Sequence, residues 1–456
     1  MRIPLSPPPL DDLLQQLLRQ GPAALELLAL ARSVGPCDNK GRYLHWDKLR
    51  HLPPPEGLTS EQYWLATKMA RQAIQKPLPL LDKTGQPMTF SLPDVLIRDL
   101  LWISENATGA IQADARITDD KIRKTYLMNS LIEEAITSSQ LEGASTTRRV
   151  AKEMLRSGRA PQNHSERMIA NNYQAMAFIR SLKSELLTPS IIFELHKILT
   201  EGTLDAGDEH KAGILRQADD DICVYSHDDV LLHVPPRSAD LRARLQAICD
   251  FANHHHDDEG GYLPPVIRAI IVHFMIGYDH PFVDGNGRTA RALFYWVMAR
   301  EGYWLMEYIS LSRVLKKAPA QYMYAYLYSE TDDNDVTYFI FHQIHAIREA
   351  IDDLHDYLAL KSRQLHAADN ALGHSALRGL LNHRQLSLLK NALENPGAEY
   401  TIKSHQNAHG VTYQTARTDL LMLSDQYAIL KKFKSGKKDV FIAPPDIQQQ
   451  LDRIKP

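Results

Sequence analysis

Cysteine is scarce in this chain of 456 residues: Cys37, Cys223 and Cys249 are odd in number, far apart and free of any CxxC spacing. That argues against a disulfide framework or a thiolate zinc site and fits a reducing cytoplasm. Charge of one sign is also lacking. The formal net charge is −3, so whole-chain electrostatics neither demand nor exclude a nucleic-acid partner, and any basic surface must be local. Long apolar runs are absent. The longest, VIRAIIVHFMIGY, is interrupted by Arg268 and His273 and is too short to cross a bilayer. The opening MRIPLSPPPLDDLL lacks the basic-then-apolar layout of a secretory leader. No internal repeat or low-complexity tract stands out. The expectation is a soluble cytoplasmic protein with no membrane partner.

What is present is helical periodicity. The length exceeds what one core usually supports, so two or three domains are expected. Residues 1–115 read as a helical N-terminal region, with a helix capped near Thr59 or Ser60 and a loop at PLPLLDKTGQPM. Residues 116–350 read as a mainly α domain. Its helices fall at 121–156 (with a break at Gly143), 165–184, 189–202, 239–255 and 264–279. Within it, ILRQADDDICVYSHDDVLLHVPP at 214–236 carries two short β-type runs around an Asp-rich turn, which predicts a hairpin. Residues 351–381 form a helical linker. Residues 382–445 then give helix, helix, Gly410 turn, helix and a two-stranded wing around Ser435-Gly436, which resembles a winged helix-turn-helix.

The chemistry concentrates in HPFVDGNGRTARALFYW, starting at His280. A helical run precedes it and another begins near Asn286. Between them Asp284, Gly285, Asn286 and Gly287 make a tight loop whose amides a ligand can approach closely. The next helix start offers unpaired N–H groups and a positive dipole end, which suit phosphate. Arg288 and Arg291, three apart, sit on one side of that first turn and can grip further phosphates. Asp284 supplies a hard oxygen for Mg²⁺, and His280 a base at neutral pH. Taken singly, each has a bland alternative: a helix cap for His280, a turn residue for Asp284, a surface charge for Arg288. Gly285 to Ala290 also fits G-x-G-x-x-A, but a helix rather than a strand precedes it, so the dinucleotide reading fails on context.

The segment resembles the signature of the Fic family: HxF, an acidic residue, GNGR, two residues and a final Arg. His280, Phe282, Asp284, Gly285, Asn286, Gly287, Arg288 and Arg291 meet every position. The resemblance implies the family's helical fold over roughly 120–350 with a small β-hairpin flap at 214–236. It implies a protein adenylyltransferase that takes ATP with Mg²⁺. His280 would deprotonate a Ser, Thr or Tyr hydroxyl on a target protein, which attacks the α-phosphate. Asp284 would hold the metal. The loop amides of Gly285 and Gly287, with Asn286, would cradle the phosphates, Arg288 would neutralise developing charge, and Arg291 would hold the γ-phosphate. Ser138-Ser139-Gln140-Leu141-Glu142-Gly143 is similar to the family's inhibitory motif. By that resemblance Ser138 and Glu142 are inhibitory residues, with Glu142 pairing with Arg291 where the γ-phosphate belongs.

Weaker features stay beside these. His254 to His256 with Asp257 and Asp258 invites a metal reading, but consecutive histidines do not share a helix face. A His-His-Asp zinc site built on His273 and His280, seven apart, would leave the GNGR loop without a role, so His273 is expected to pack under the loop. Tyr295 and Trp296 are expected in the core. In the wing, Lys431, Lys432, Lys434, Lys437 and Lys438 fall close together. With Tyr413, Gln414 and Arg417 on the third helix they could contact DNA, or else be a solvated face or a protein contact. The competing functional readings are removal of AMP from a modified protein, and a DNA-binding regulator whose Fic domain senses nucleotide. A homodimer, with Glu142 acting across it, stays open.

Overall fold

The computed structural model describes residues 2–19, 21, 24, 29, 32–108, 120–226, 228–254, 262–373, 380–395, 397–435 and 438–453. Helices dominate, and strands occur only in three small sheets. The chain divides into two compact units, Met1–Leu354 and His355–Pro456. No helix among the described residues is long and apolar enough to cross a membrane.

The first unit opens with α1 (Leu10–Leu18), α2 (Trp46–Leu49) and α3 (Ser60–Gln72). Thr59 starts α3 through a capping box: its side chain accepts from the Gln62 amide while the Gln62 side chain accepts from Thr59 N. The PLPLLDKTGQPM segment, expected as a loop, is instead a hairpin. Strand β1 (Gln75–Leu81) pairs antiparallel with β2 (Pro87–Ser91), with a register shift between Pro77 and Leu81. Prolines weaken a strand by removing donors, but a two-stranded ribbon has free edges where the lost donors cost little. Leu78 and Leu80 alternate inward, 4% and 2% exposed. Asp82 closes the turn by accepting from the Thr84 and Gln86 amides at 2.7 and 2.9 Å. The N-terminal region is therefore helix plus hairpin, not helix alone. It ends with α4 (Asp94–Ala107).

The catalytic-type motif lies in the helices that follow: α5 (Asp120–Leu141), α6 (Arg148–Ser157), α7 (His164–Ser181) and α8 (Pro189–Thr200). Strands β3 (Val224–Tyr225) and β4 (Leu231–His233) make the expected hairpin. Next come α9 (Leu241–Asn253), α10 (Pro265–Asp279), α11 (Asn286–Arg300), α12 (Leu311–Lys317), α13 (Pro319–Thr331) and the long α14 (Thr337–Gly373). Every residue of α10 except Gly277 is buried, as a helix apolar on all sides must be. It is the central rod, and α11 packs on it and on α7 and α8. This rigid pair positions the loop between them.

The second unit contains α15 (His383–Glu394), β5 (Glu399–Thr401), α16 (Ile402–His409), α17 (Tyr413–Leu421), β6 (Lys431–Ser435), β7 (Lys438–Ile442) and α18 (Ile447–Arg453). It has its own core, including Leu389, Leu420, Leu423 and Phe441, all fully buried. The sheet order is β5-β7-β6, antiparallel throughout. Gly410 ends α16 with φ +61°, a conformation glycine adopts without cost. Strand β5 was not foreseen, because three residues between two helices leave no periodic trace. The third helix stops at Leu421 and passes into a wider turn over Met422–Gln426.

Candidate functional site

Helix α10 ends at Asp279, and His280 takes a left-handed conformation, φ 45° and ψ 58°, that turns the chain sharply away. Gly285 then begins α11 with φ +79°, and a Cβ there would lie 2.7 Å from the Thr200 methyl. Backbone angle and space together require glycine. The loop is closed by its own side chains. Asn286 accepts from Phe282 N through Oδ1 at 3.0 Å and donates through Nδ2 to Phe282 O at 2.8 Å. Both ends of that amide are thus engaged with the loop backbone. Phe282 is fully buried and stacks flat on His196, ring centroids 3.7 Å apart.

His196, on α8, ties the loop to the segment that leads into the hairpin. Its Nδ1 accepts from Gly213 N at 2.9 Å, so Nε2 carries the proton and donates to Asp284 O at 2.8 Å. Burial pushes its pKa down to about 4, with the bond to Asp284 O opposing. The ring is neutral at physiological pH.

His280 faces a carbonyl as well. Nδ1 lies 3.3 Å from Gly277 O and donates to it, which leaves Nε2 as the free lone pair. Burial is the largest influence on this ring and brings its pKa down to about 4. The bond to Gly277 O opposes that, and the neighbouring His233 adds to it. The group is an unprotonated imidazole with one basic nitrogen, as general-base chemistry requires.

The two arginines are buried, each 1% exposed, and differ in their partners. Arg288 donates from NH1 to Leu199 O at 3.0 Å and from NH2 to Asp284 Oδ2 at 2.9 Å, while its buried Nε has no partner among the described residues. Arg291 donates from Nε to Ser138 Oγ at 2.9 Å, and from NH2 to Ser138 O at 3.0 Å and to Glu142 Oε1 at 2.8 Å. Burial works against the Arg291 charge, but the Glu142 carboxylate more than offsets it, and the guanidinium is held above its ordinary pKa. Glu142 also sits over the start of α11: a Cβ on Gly287 would fall 2.3 Å from Glu142 Oε1 and 3.0 Å from Arg291 NH1. A carboxylate of the chain thus lies where the helix start attracts an anion.

Glu142 follows directly on the end of α5. Further back on α5, Glu134 is 2% exposed and accepts from Tyr295 OH at 2.9 Å, Ser310 Oγ at 2.8 Å, Ser312 N at 3.1 Å and the Ser312 hydroxyl. This anchors α5 to α11 and to the start of α12. The hairpin is pinned to the loop by Arg216, which donates from Nε to His280 O at 2.7 Å and from NH2 to Pro236 O at 2.5 Å.

Among the described residues no group of three or more His, Cys, Asp or Glu side chains could hold a metal. Asp284 therefore stands alone. It is exposed, and Oδ1 makes no bond among the described residues while Oδ2 takes Arg288. One carboxylate oxygen fits Mg²⁺ that arrives with phosphates and water, since Mg²⁺ commonly binds through one carboxylate plus substrate oxygens. His273 is fully buried, with Nε2 2.7 Å from Tyr322 OH. Tyr295 and Trp296 are buried at 5% and 1%. The His255–Asp258 part of the histidine run and Lys437 lie outside the described residues.

Sequence reasoning missed His196, His233 and Glu134. The first two are single histidines in apolar surroundings with no distinctive spacing, and the third is one of many glutamates on a helix. Only the fold brings them to the loop.

Comparison with known proteins gives a consistent likeness. The Fic/DOC family model matches residues 186–298, which include the whole loop. Protein adenylyltransferase Fic of Nematostella vectensis is 27% identical over 234 residues, 50% of this chain and 48% of that protein. The Drosophila virilis protein of the same name is 41% identical over 71 residues, 16% of this chain and 14% of its own length. The chain thus spans less than half the length of either relative. A Fic family protein from Desulfovibrio desulfuricans is 16% identical with a TM-score of 0.47, covering 76% of this chain and 95% of that one. Fic-1 from C. elegans is 18% identical with a TM-score of 0.42, covering 57% and 71%.

Proposed function

Residues 186–298 are a Fic/DOC-family domain, and from that premise we propose that the chain is a protein adenylyltransferase held in check by Glu142. One observation carries the reading. A carboxylate of the chain occupies the anion site formed by Arg291 and the start of α11, beside a histidine kept neutral with Nε2 free.

In the reaction, a Ser, Thr or Tyr hydroxyl of the target gives its proton to His280 Nε2 as its oxygen bonds to the α-phosphorus of ATP. The bond from that phosphorus to the β-phosphate oxygen breaks, and pyrophosphate leaves with the electron pair. Gly287 admits the phosphates close to the α11 amides. Arg288 supports the developing charge. Arg291 takes the γ-phosphate once Glu142 is displaced. Asp284 would hold Mg²⁺, which supplies charge neutralisation across the phosphates. While Glu142 holds Arg291, triphosphate cannot use that guanidinium, so resting activity is low.

The test uses purified full chain with Mg²⁺ and ATP labelled at the α-phosphate. Label on protein with Glu142→Gly, little with wild type and none with Glu142→Gly/His280→Ala is the expected pattern. Nucleotide binding without label in all three overturns the reading in favour of AMP removal or nucleotide sensing.

A second role rests on the second unit. Tyr413, Gln414 and Arg417 on α17 are exposed, as are Lys431, Lys432 and Lys434 on β6. A helix face with polar side chains beside a lysine-bearing wing suits a DNA groove and its phosphates. Duplex binding that weakens steeply with salt, and weakens with Lys431→Ala/Lys434→Ala, is expected. No binding at low salt removes this role and leaves the enzyme reading untouched.

A further inference from the structure

His233, the last residue of β4, belongs to no part of the loop motif, yet it is buried at 7% exposure against the end of the His280 helix. Its Nε2 lies 2.7 Å from Tyr278 O and its Nδ1 lies 2.6 Å from Glu330 Oε2 on α13. Both oxygens face the ring as acceptors. A carbonyl cannot donate, so Nε2 carries a proton. Between Nδ1 and the carboxylate a second proton is shared, with Glu330 as the counter-charge. A ring bonded at both nitrogens cannot rotate, which fixes β4 to α10 and α13 at once.

The carbonyl it meets matters. Tyr278 is two residues before His280, and its oxygen is among the last-turn carbonyls of α10 that lack a partner within the helix. An N–H donor is favourable at that negative helix end. The chain that follows His233 is pinned too. Lys83 Nζ donates to Val234 O at 3.2 Å, and Arg216 joins Pro236 O to His280 O. The other charged groups around this corner are the buried Asp279, which Arg244 contacts at 2.6 Å, together with Arg216 and, beyond His280, Glu142.

We infer that His233 and Glu330 are a positioning pair that docks the returning strand of the hairpin onto the end of the His280 helix, so that the placement of the hairpin and of His280 is set by one contact. The inference rests on His280 being the transferring base. The pair touches neither nucleotide nor the reacting atoms. It acts on the placement of the hairpin and of His280.

The variants are His233→Ala, His233→Gln and Glu330→Gln in the full chain, alone and with Glu142→Gly. Three readouts separate positioning from general damage: binding of Mg–ATP, label transfer from α-labelled ATP, and the rate of limited proteolysis in the turn between β3 and β4. His233→Ala is expected to leave Mg–ATP affinity within about twofold, to lower transfer by about tenfold or more, and to speed cleavage of the turn. His233→Gln is expected to recover part of both losses, since its amide still donates to Tyr278 O. Glu330→Gln should fall between them. NMR titration of the His280 ring in His233→Ala should differ from that in the parent, because the last turn of α10 loses the donor to Tyr278 O two residues before His280. Unchanged proteolysis and unchanged His280 titration in His233→Ala overturn the inference. If Glu142→Gly alone transfers no label, the adenylyltransferase reading fails instead, and proteolysis and titration still decide the role of the pair.

Discussion

Glu142 Oε1 lies 2.8 Å from Arg291 NH2 across a glycine that has no side chain to keep it away. On the proposed function, Gly287 would serve two occupants of one space, the Glu142 carboxylate seen here and phosphate oxygens once it leaves. Alanine at this position would put a methyl 2.3 Å from the carboxylate oxygen and 3.0 Å from the guanidinium. Gly287→Ala is therefore expected to dislodge Glu142 without activating the enzyme, since the methyl also blocks phosphate. Mg–ATP titration should show affinity at least about tenfold weaker for Gly287→Ala/Glu142→Gly than for Glu142→Gly alone. Equal affinities would show that phosphate does not approach this amide.

The Glu134 cluster fixes the helix that ends one residue before Glu142. Removing its carboxylate strands Tyr295 OH, Ser310 Oγ and the Ser312 amide in a buried setting. Glu134→Ala is expected to cost about 2–4 kcal/mol in unfolding experiments. In the otherwise wild-type chain it should also raise label transfer per folded molecule, because α5 holds Glu142 less firmly. A loss of stability with no rise in transfer would assign the cluster to folding alone.

The pH response follows from buried histidines. Burial brings His280 and His196 down to about 4, and His45 and His342 likewise. In the unfolded chain such rings take a proton near pH 6.5. The unfolded state therefore binds more protons between about pH 6.5 and 4, and stability falls as pH falls through that window. Thermal melts should drop from about pH 6.5 downward and show no loss from these groups above it. The transfer rate of Glu142→Gly, at constant folded fraction, should stay flat through pH 6.5 and fall only toward about pH 4. An inflection at the ordinary histidine value would mean that His280 is solvated in the working enzyme.

His196 is expected to behave as a brace. His196→Ala loses the bonds to Gly213 N and Asp284 O together with the stack on Phe282. A stability loss of about 2–4 kcal/mol is expected, with weaker Mg–ATP binding in the folded fraction. Differential scanning calorimetry and nucleotide titration measure the two effects. Full retention of nucleotide affinity would show that the loop keeps its shape through Asn286 and Phe282 alone.

The loop was legible because its chemistry is local: base, carboxylate, glycines and arginines follow one another in twelve residues from His280 to Arg291. Glu142 was legible only through a resemblance, since its pairing with Arg291 spans 149 positions. Asn286 shows what spacing hides. The sequence suggests a phosphate ligand, while both ends of its amide bond the Phe282 backbone. The first hairpin was missed because Pro77 and Pro79 mask an alternating pattern that Leu78 and Leu80 carry on the inner face. His233 and Glu330 left no trace, because a contact between a strand end and a helix 97 positions later has no periodicity to betray it.

The backbone at His280 has a cost of its own. A side chain at φ 45° sits where its Cβ crowds the following carbonyl, a penalty of roughly 1–2 kcal/mol that glycine avoids. Selection for stability alone would install glycine at this corner, at the expense of the imidazole. The molecule keeps the less stable choice, and the strain sits at the turn that carries the imidazole. An inactive His280→Gly chain would be expected to outlast the native one on heating.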